Sequence, residues 1–437
     1  MGQFERVDRQ RVIIPYTPRP QFAEFHSRTQ RWSCIVAHRR AGKTVACIND
    51  LIKAAITCTK PDPRFAYIAP FYTQAKDVAW QYLKKFALCI PGSEANESEL
   101  RVDLPNGGRI RLYGADNYDR MRGLYLDGVV LDEFADMNPR VWPEVIRPAL
   151  SDRQGWATFI GTPKGRNGFY DIWAGNPETG WAGATQSDTW FSLMLKASET
   201  GFVAAEELAD AQVAMSPEQY AQEYECSFDA AIIGAYYGKD ISALEAEGRI
   251  MQVPWERGLA VDTAWDLGIG DATAVWFFQV MGREIRVIDY YEINNQGLEE
   301  TVRVLLAKPY IYGTHYMPHD IAIRELISGT SRRDTIEGLG LYNINVGVRA
   351  DPAERINAVR MMLPSCVFDD KATLYGREVL KNYRREWDDK RKTFRSTPLH
   401  DWSSHGADAF GEFAVNHRTK TERARERRPA RIGHLVS

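Results

Sequence analysis

Lys43 and Thr44 close the stretch Ala37-His38-Arg39-Arg40-Ala41-Gly42-Lys43-Thr44, and a loop ending in Gly-Lys-Thr suits an anion. Before it runs WSCIVA, apolar with a β-branched centre. After it, Val45, Ile48, Leu51, Ile52 and Ile56 recur at helical spacing. A loop between a strand and a helix turns successive backbone N–H groups towards phosphate oxygens. In that setting Lys43 would neutralise the β- and γ-phosphates of ATP, and the Thr44 hydroxyl would ligate Mg2+. Ala37 replaces the glycine usual at the first position, which is open to a small residue where the backbone angles allow it. Arg39 and Arg40 stand where small residues are common. Either could serve in cis, where charge spreads over the phosphoryl oxygens during transfer, or pair with a nearby acid.

A second acidic signal follows in DGVVLDEFADM. Val129, Val130 and Leu131 read as a buried strand ending in Asp132 and Glu133. Asp132 would hold Mg2+ through water, and Glu133 would position and polarise the attacking water. In WATFIGTPKG another strand ends in Gly161-Thr162-Pro163, where a polar residue beside the γ-phosphate can sense hydrolysis and pass it on. Arg147 and Arg153 are further candidates to serve a neighbouring subunit. Later in the chain, Asp266 ends the first strand of an apparent hairpin, Asp320 ends the run GTHYMPHDI, and Asp408 stands on a helix whose Ala409, Phe410 and Phe413 can pack inward. Three carboxylates converging from two strand ends and a helix suit two divalent ions, Mg2+ or Mn2+, in phosphodiester cleavage. Asp262, Asp271 and Asp401 compete for that duty. His319, His400 and His405 lie near enough in sequence to join or orient it.

The elements needed to place these residues alternate strand and helix in the first half, which implies a mostly parallel sheet with helices on both faces and ligands at the strands' C-terminal ends. The chain has 437 residues, 44% hydrophobic and 26% charged, enough for more than one core. Net charge is −3, so no global basic field announces a nucleic-acid partner, and any such patch must be local. One candidate patch is the hairpin YRREWDDKRKTFRSTPLH, turning at Asp388-Asp389, in which basic residues interleave with Trp387 and Phe394 and could track a phosphate backbone. The six cysteines form no CxxC pair, which speaks against a zinc site or disulfide framework and suits a reducing compartment. The first residues lack the apolar core of a signal peptide, and no run of apolar residues is long enough to span a membrane, so a cytoplasmic protein is expected. Ser216, with Glu218 and Gln219, reads as a helix cap at the joint between the halves. The expected division is an ATPase at 1–228 (core to about 175, linker subdomain about 176–228), a nuclease at 229–417 and a basic tail at 418–437.

Together these motifs resemble the large subunit of tailed-bacteriophage terminases over nearly the whole chain. AHRRAGKT is similar to that family's arginine-bearing Walker A loop, VVLDEFAD to its Walker B strand and FIGTPKG to its coupling motif. TAWDLGIGDATAVWF, PHD and HDWSSHGADAF resemble its RNase H-like nuclease. The resemblance implies an α/β fold in two parts, a P-loop ATPase followed by an RNase H-like nuclease. It maps the nuclease metal ligands onto Asp266, Asp320 and Asp408, and suggests that Gln21, in PRPQF, holds adenine. It further implies ATP-driven translocation of double-stranded viral DNA into a procapsid and metal-dependent cutting of concatemers. The implied partners are a portal protein, a small terminase subunit and, during packaging, a homo-oligomeric ring, pentameric in the family, of chains that are monomeric in isolation. The implied setting is the cytoplasm of the infected host, with no retention in the virion. A helicase or repair-type ATPase with a fused nuclease module is the rival reading.

Overall fold

The computed structural model describes residues 13–176, 180–229, 232, 234–268, 272–294, 296–322, 331–388 and 393–417. Asp271, the hairpin tip Asp389, Lys390, Arg391 and Lys392, and the basic tail from residue 418 onward lie outside the described residues. The chain forms two compact units, Met1–Ile233 and Gly234–Ser437.

In the first unit eight strands form one sheet: β1 (Trp32–Ala37), β2 (Arg64–Ala69), β3 (Glu94–Asn96), β4 (Arg101–Asp103), β5 (Arg109–Gly114), β6 (Gly128–Asp132), β7 (Trp156–Gly161) and β8 (Trp190–Leu195). Their order is β3-β4-β5-β2-β6-β7-β1-β8. Every pairing from β5 through β8 is parallel, and β3 and β4 join as an antiparallel edge. The apolar run before the Gly-Lys-Thr loop is β1, and its uninterrupted hydrophobicity follows from burial on both faces. Ile35 and Ala37 point into one core with Ile48, Leu51 and Ile52 of helix α1 (Lys43–Thr57). Cys34 and Val36 point into the other with Phe134, Trp142 and Phe159. The first half is thus the doubly covered parallel sheet that the alternation of elements predicts. Near its end Ser216 forms a complete capping box with Gln219.

The second unit is built on a seven-stranded mixed sheet of β9 (Ile250–Met251), β10 (Val261–Leu267), β11 (Ala272–Met281), β12 (Glu284–Asn294), β13 (Tyr312–Met317), β14 (Ile344–Val346) and β15 (Cys366–Asp369), ordered β14-β13-β10-β11-β12-β15-β9. The antiparallel meander β10-β11-β12 lies at its centre, and the outer pairings are parallel. Side chains alternate along β10. Trp265 packs with Val302 and Leu305 of α2 (Leu298–Ala307). Ala264 packs on the opposite face with Ala409, Phe410 and Phe413, borne on a helix spanning Ser404–Asn416. Two further helices, α3 (Pro352–Met362) and α4 (Leu374–Asn382), precede that one, which is α5. The seat of α5 needs a glycine at 406. A Cβ there would stand 2.4 Å from the Tyr290 hydroxyl, and the Trp276 indole donates to the Gly406 carbonyl at 2.7 Å. The basic hairpin is a two-stranded antiparallel ribbon, β16 (Arg385–Asp388) with β17 (Thr393–Pro398). Among the described residues no helix is long and apolar enough to cross a membrane.

Candidate functional site

Ala37 is the last residue of β1, so its position needs no glycine. The left-handed conformations of the loop fall instead on Arg40 (φ 64°) and Gly42 (φ 94°). An arginine at a positive φ is uncommon and has to be held there. Arg19 supplies one restraint, its guanidinium donating to the carbonyls of Arg40 at 3.1 Å and Ala41 at 2.8 Å while lying 4.1 Å from the centre of the Phe202 ring. His38 is buried, and its ring bonds the Arg39 carbonyl at 2.6 Å and the Thr200 hydroxyl at 2.9 Å. Burial holds its pKa below the usual histidine value, with Lys43 and Arg19 adding to the effect. Arg39 points into solvent and pairs with Glu223 at 2.9 Å. Of the two arginines, one is thus ion-paired at the surface and the other shapes the loop. Arg153 is engaged elsewhere, paired with the buried Asp127 at 2.9 Å, and Arg147 lies over the Trp32 ring.

Lys43 is buried at the loop's end, 3.1 Å from Glu133 and 3.3 Å from the Thr162 hydroxyl. Burial alone would depress its pKa, but Glu133 and Asp132 outweigh that and hold the ammonium above its ordinary value. Asp132, at the tip of β6, is pushed up to about 6 by burial and by its neighbour Glu133, against the pull of Lys43. Its Oδ2 accepts from the Tyr67 phenol and from the Thr44 hydroxyl at 3.4 Å, while Oδ1 is buried without a partner among the described residues. An orphaned buried carboxylate oxygen beside a threonine hydroxyl fits a hard cation such as Mg2+. Glu133 itself has a left-handed φ of 52°, and its carboxylate accepts from the Thr162 backbone N–H at 3.3 Å. The Thr162 hydroxyl also reaches the Ala37 carbonyl at 3.3 Å. Between Gly161, the end of β7, and Pro163, this threonine therefore touches the loop lysine, the β6 glutamate and the end of β1. Gln21 sits in a short 3-10 turn beside Arg19, with its Oε1 buried and unpartnered among the described residues.

In the second unit Asp266 shares the α5 face of β10 with Ala264, and its Oδ2 lies 2.8 Å from His405 Nδ1 on α5. Asp408 follows one helical turn later and meets the Tyr383 hydroxyl at 3.4 Å and Arg355, on α3, at 3.7 Å. Asp320 does not end a strand. Pro318 follows the last residue of β13, and Asp320 lies in the 3-10 turn beyond, with its Oδ1 buried and unpartnered among the described residues. Burial raises the pKa of Asp408, and Asp266 adds to the shift against Arg355. Glu412, buried one turn beyond Asp408, is pushed up to about 7 by burial, against Arg355, with Asp266, Asp408 and Asp320 contributing. The three aspartates thus share one electrostatic neighbourhood with a fourth acid. Among the described residues no group of three or more His, Cys, Asp or Glu side chains stands ready to hold a metal. The donor chemistry nonetheless suits Mg2+ or Mn2+, and the orphaned Asp320 oxygen gives one donor free to take it. The competing acids have other work: Asp262 accepts from the Thr314 N–H at 2.7 Å, and Asp401 accepts from the Ser403 N–H at 2.9 Å and pairs with Arg384 at 3.3 Å. His319 and His400 are exposed. Sequence reasoning missed Arg19, Tyr67, Arg355 and Glu412. Only Glu412 carried a signal, since it follows Asp408 by four residues on one helix face.

A doubly covered parallel sheet with a Gly-Lys-Thr loop after β1 and two acids at the tip of β6 defines the first unit as a P-loop nucleotide-binding fold. The family model for the terminase large subunit, T4likevirus-type, N-terminal, matches residues 34–256, just over half of the chain. The chain belongs to the terminase large subunit family. It is 30% identical over 190 residues to the terminase large subunit of Thermus virus P23-45, and 26% identical over 176 residues to that of Escherichia phage T5. Each match covers 39% of this chain and only 38% of the relative's own length. Among solved structures, the large terminase ATPase domain of Thermus phage P74-26 is 26% identical and superposes loosely, with a TM-score of 0.42 over 49% of this chain and 95% of that one.

Proposed function

We propose that the chain is a DNA-packaging motor that also cuts DNA: its first unit hydrolyses ATP to translocate double-stranded viral DNA, and its second is an RNase H-like, metal-dependent endonuclease. The observation that carries this reading is the pairing, in one chain, of a buried lysine and two strand-tip acids with a separate cluster of three half-buried aspartates and the buried Glu412. The loop N–H groups and Lys43 hold the β- and γ-phosphates, and Gln21 accepts from the adenine amine. Glu133 exchanges Lys43 for the attacking water and takes its proton. Thr162, bonded to both partners, registers the loss of the γ-phosphate at the end of β7. Thr44 and Asp132 would hold Mg2+, which would offset the negative charge of the phosphates. In the second unit Asp266, Asp320 and Asp408 would hold a pair of Mg2+ or Mn2+ ions, which would supply an activated water and stabilisation of the leaving oxygen. His405 keeps the Asp266 carboxylate oriented. The family setting adds a portal protein, a small terminase subunit and a ring of copies of this chain, pentameric during packaging, working in the cytoplasm of the infected host.

The test is a crossed assay on the purified protein, measuring ATP turnover and the nicking of plasmid DNA in Mg2+ or Mn2+. Glu133→Gln should lose turnover and keep cleavage, and Asp266→Asn should do the reverse. Wild-type cleavage by Asp266→Asn would sink the nuclease half, and normal turnover by Glu133→Gln the motor half. Unwinding of a forked duplex in place of tracking an intact one would favour a helicase.

A further inference from the structure

Arg355 reaches the acid cluster from α3, across the helix that carries Asp408 and Glu412. Gly411 leaves room for its stem, since a Cβ there would stand 3.3 to 3.6 Å from the Cδ, Cβ and Cγ of Arg355. Its guanidinium lies 3.7 Å from Asp408 and 3.5 Å from Glu412, and its Nε is buried without a hydrogen-bond partner among the described residues. These contacts are longer than the about 2.7–2.9 Å of a charge-assisted hydrogen bond, so the guanidinium spans two carboxylates without locking onto either. Glu412 is fixed from its other side, Oε2 accepting from Asn416 at 3.1 Å. Asp266 and Asp320 add their charge to the same space.

We infer that Arg355 is the built-in counter-cation of this cluster: it neutralises the acids while no metal is bound and must withdraw from them for divalent ions to enter. The inference rests on reading the cluster as a metal site. An ion such as Mg2+ draws carboxylate oxygens to within about 2.0–2.1 Å of itself, so it needs the space between them that the guanidinium takes, and two cations in one acid cage repel. Arg355 therefore raises the metal concentration at which the cage fills, and acts as a positioning residue without touching the reacting atoms. It also explains why the acids lie together without forming a ready ligand set.

The experiment titrates MnCl2 alone into nucleotide-free, DNA-free full-length protein by calorimetry. All chains carry Asp132→Asn, which disables the metal ligand of the first unit. Arg355→Gln should bind Mn2+ about tenfold more tightly than the parent and unfold at a lower temperature without metal. Arg355→Lys, which keeps the charge, should stay within about threefold of the parent. Unchanged or weaker Mn2+ binding by Arg355→Gln, or equal tightening by both variants, would overturn the counter-cation role. Arg355→Met takes the place of the glutamine if that chain does not fold. Asp408→Asn reads the parent hypothesis separately: it should lose Mn2+ binding, and wild-type affinity there would show that the cluster is no metal site, whatever Arg355 does.

Discussion

Lys43 in the first unit and Asp320 in the second both lie just past the C-terminal end of a strand, and they meet burial in opposite ways. The Lys43 ammonium is held between Glu133 and Thr162, so the loop that awaits an anion already contains a cation and the acids that balance it. The Asp320 carboxylate has a buried oxygen with no partner among the described residues, in a space shared with Asp266, Asp408 and Glu412. A buried charge must be paired or neutralised. The first site meets that demand internally for Lys43, which can be ordered before a ligand arrives, and leaves one buried oxygen of Asp132 without a partner among the described residues. The second meets it only in part, through Arg355 and His405, and leaves negative charge for a cation to complete. One chain thus holds a lysine already paired at the end of its loop and, in its second unit, an acid cluster that is only partly neutralised.

The strongest way to break this comparison is to remove the group each site cannot replace. Glu133→Gln keeps the shape of the first site and removes the proposed base, so ATP turnover should fall by about 10²- to 10⁴-fold while ATP still binds. If turnover and binding fell together, Glu133 would be ordering the cradle and not acting on water. Asp266→Asn should reduce metal-dependent nicking by about 100-fold or more, since several kcal/mol of charge stabilisation would go with the proposed ligand. Its ATPase rate should match wild type. Equal damage to both activities would show that the sites are not separable.

How far each site could be read in advance follows from how its parts are distributed along the chain. The parallel sheet and the phosphate loop were legible because each signal is contiguous: an apolar strand, Gly42-Lys43-Thr44, then apolar residues at helical spacing. The tip of β6 was legible for the same reason, as Val129, Val130 and Leu131 run directly into Asp132 and Glu133. Nothing local marks Arg19, Phe202 or Glu223, which reach the loop from distant segments. The choice of Asp266, Asp320 and Asp408 over Asp262 and Asp401 came from resemblance, because spacing alone cannot say which acids are spent on turns. The structure shows Asp262 and Asp401 committed to neighbouring backbone N–H groups. Arg355 was invisible because it lies on a helix with no pattern beyond ordinary polarity, and only the packing of α3 on α5 gives it a role.

Arg19 offers a smaller test of the claim that the cradle is ordered beforehand. Its guanidinium holds two loop carbonyls, of which one belongs to Arg40 at its left-handed φ. Arg19→Gln removes the charge and at least one of those bonds, so the loop would pay for its ordering at the moment ATP binds. KM for ATP should rise about tenfold with kcat within about threefold, because Lys43, Glu133 and Thr162 remain in place. A fall in kcat at unchanged KM would place Arg19 in the chemistry itself and blur the distinction between the two sites.

The smallest effect concerns the acid cluster of the second unit. Burial, resisted by Arg355 and reinforced by Asp266, Asp408 and Asp320, pushes the Glu412 carboxyl up to about 7 from an ordinary 4.5. Between those values the folded chain keeps a proton on Glu412 that the unfolded chain has released. Stability from this group is therefore complete below about 4.5 and is lost as pH rises through about 7. Asp266, Asp320, Asp408, His405 and Arg355 titrate or carry charge in the same space, so the measurement is a difference between wild type and Glu412→Gln. Without metal, the melting temperature of the variant should gain on wild type by ~2–4 °C as pH rises across that window. Mn2+ should reduce the gain, because a divalent ion offsets the same charge that the proton does. A difference that ignores pH would mean that Arg355 already balances the cluster, leaving the second site as complete before its ligand arrives as the first.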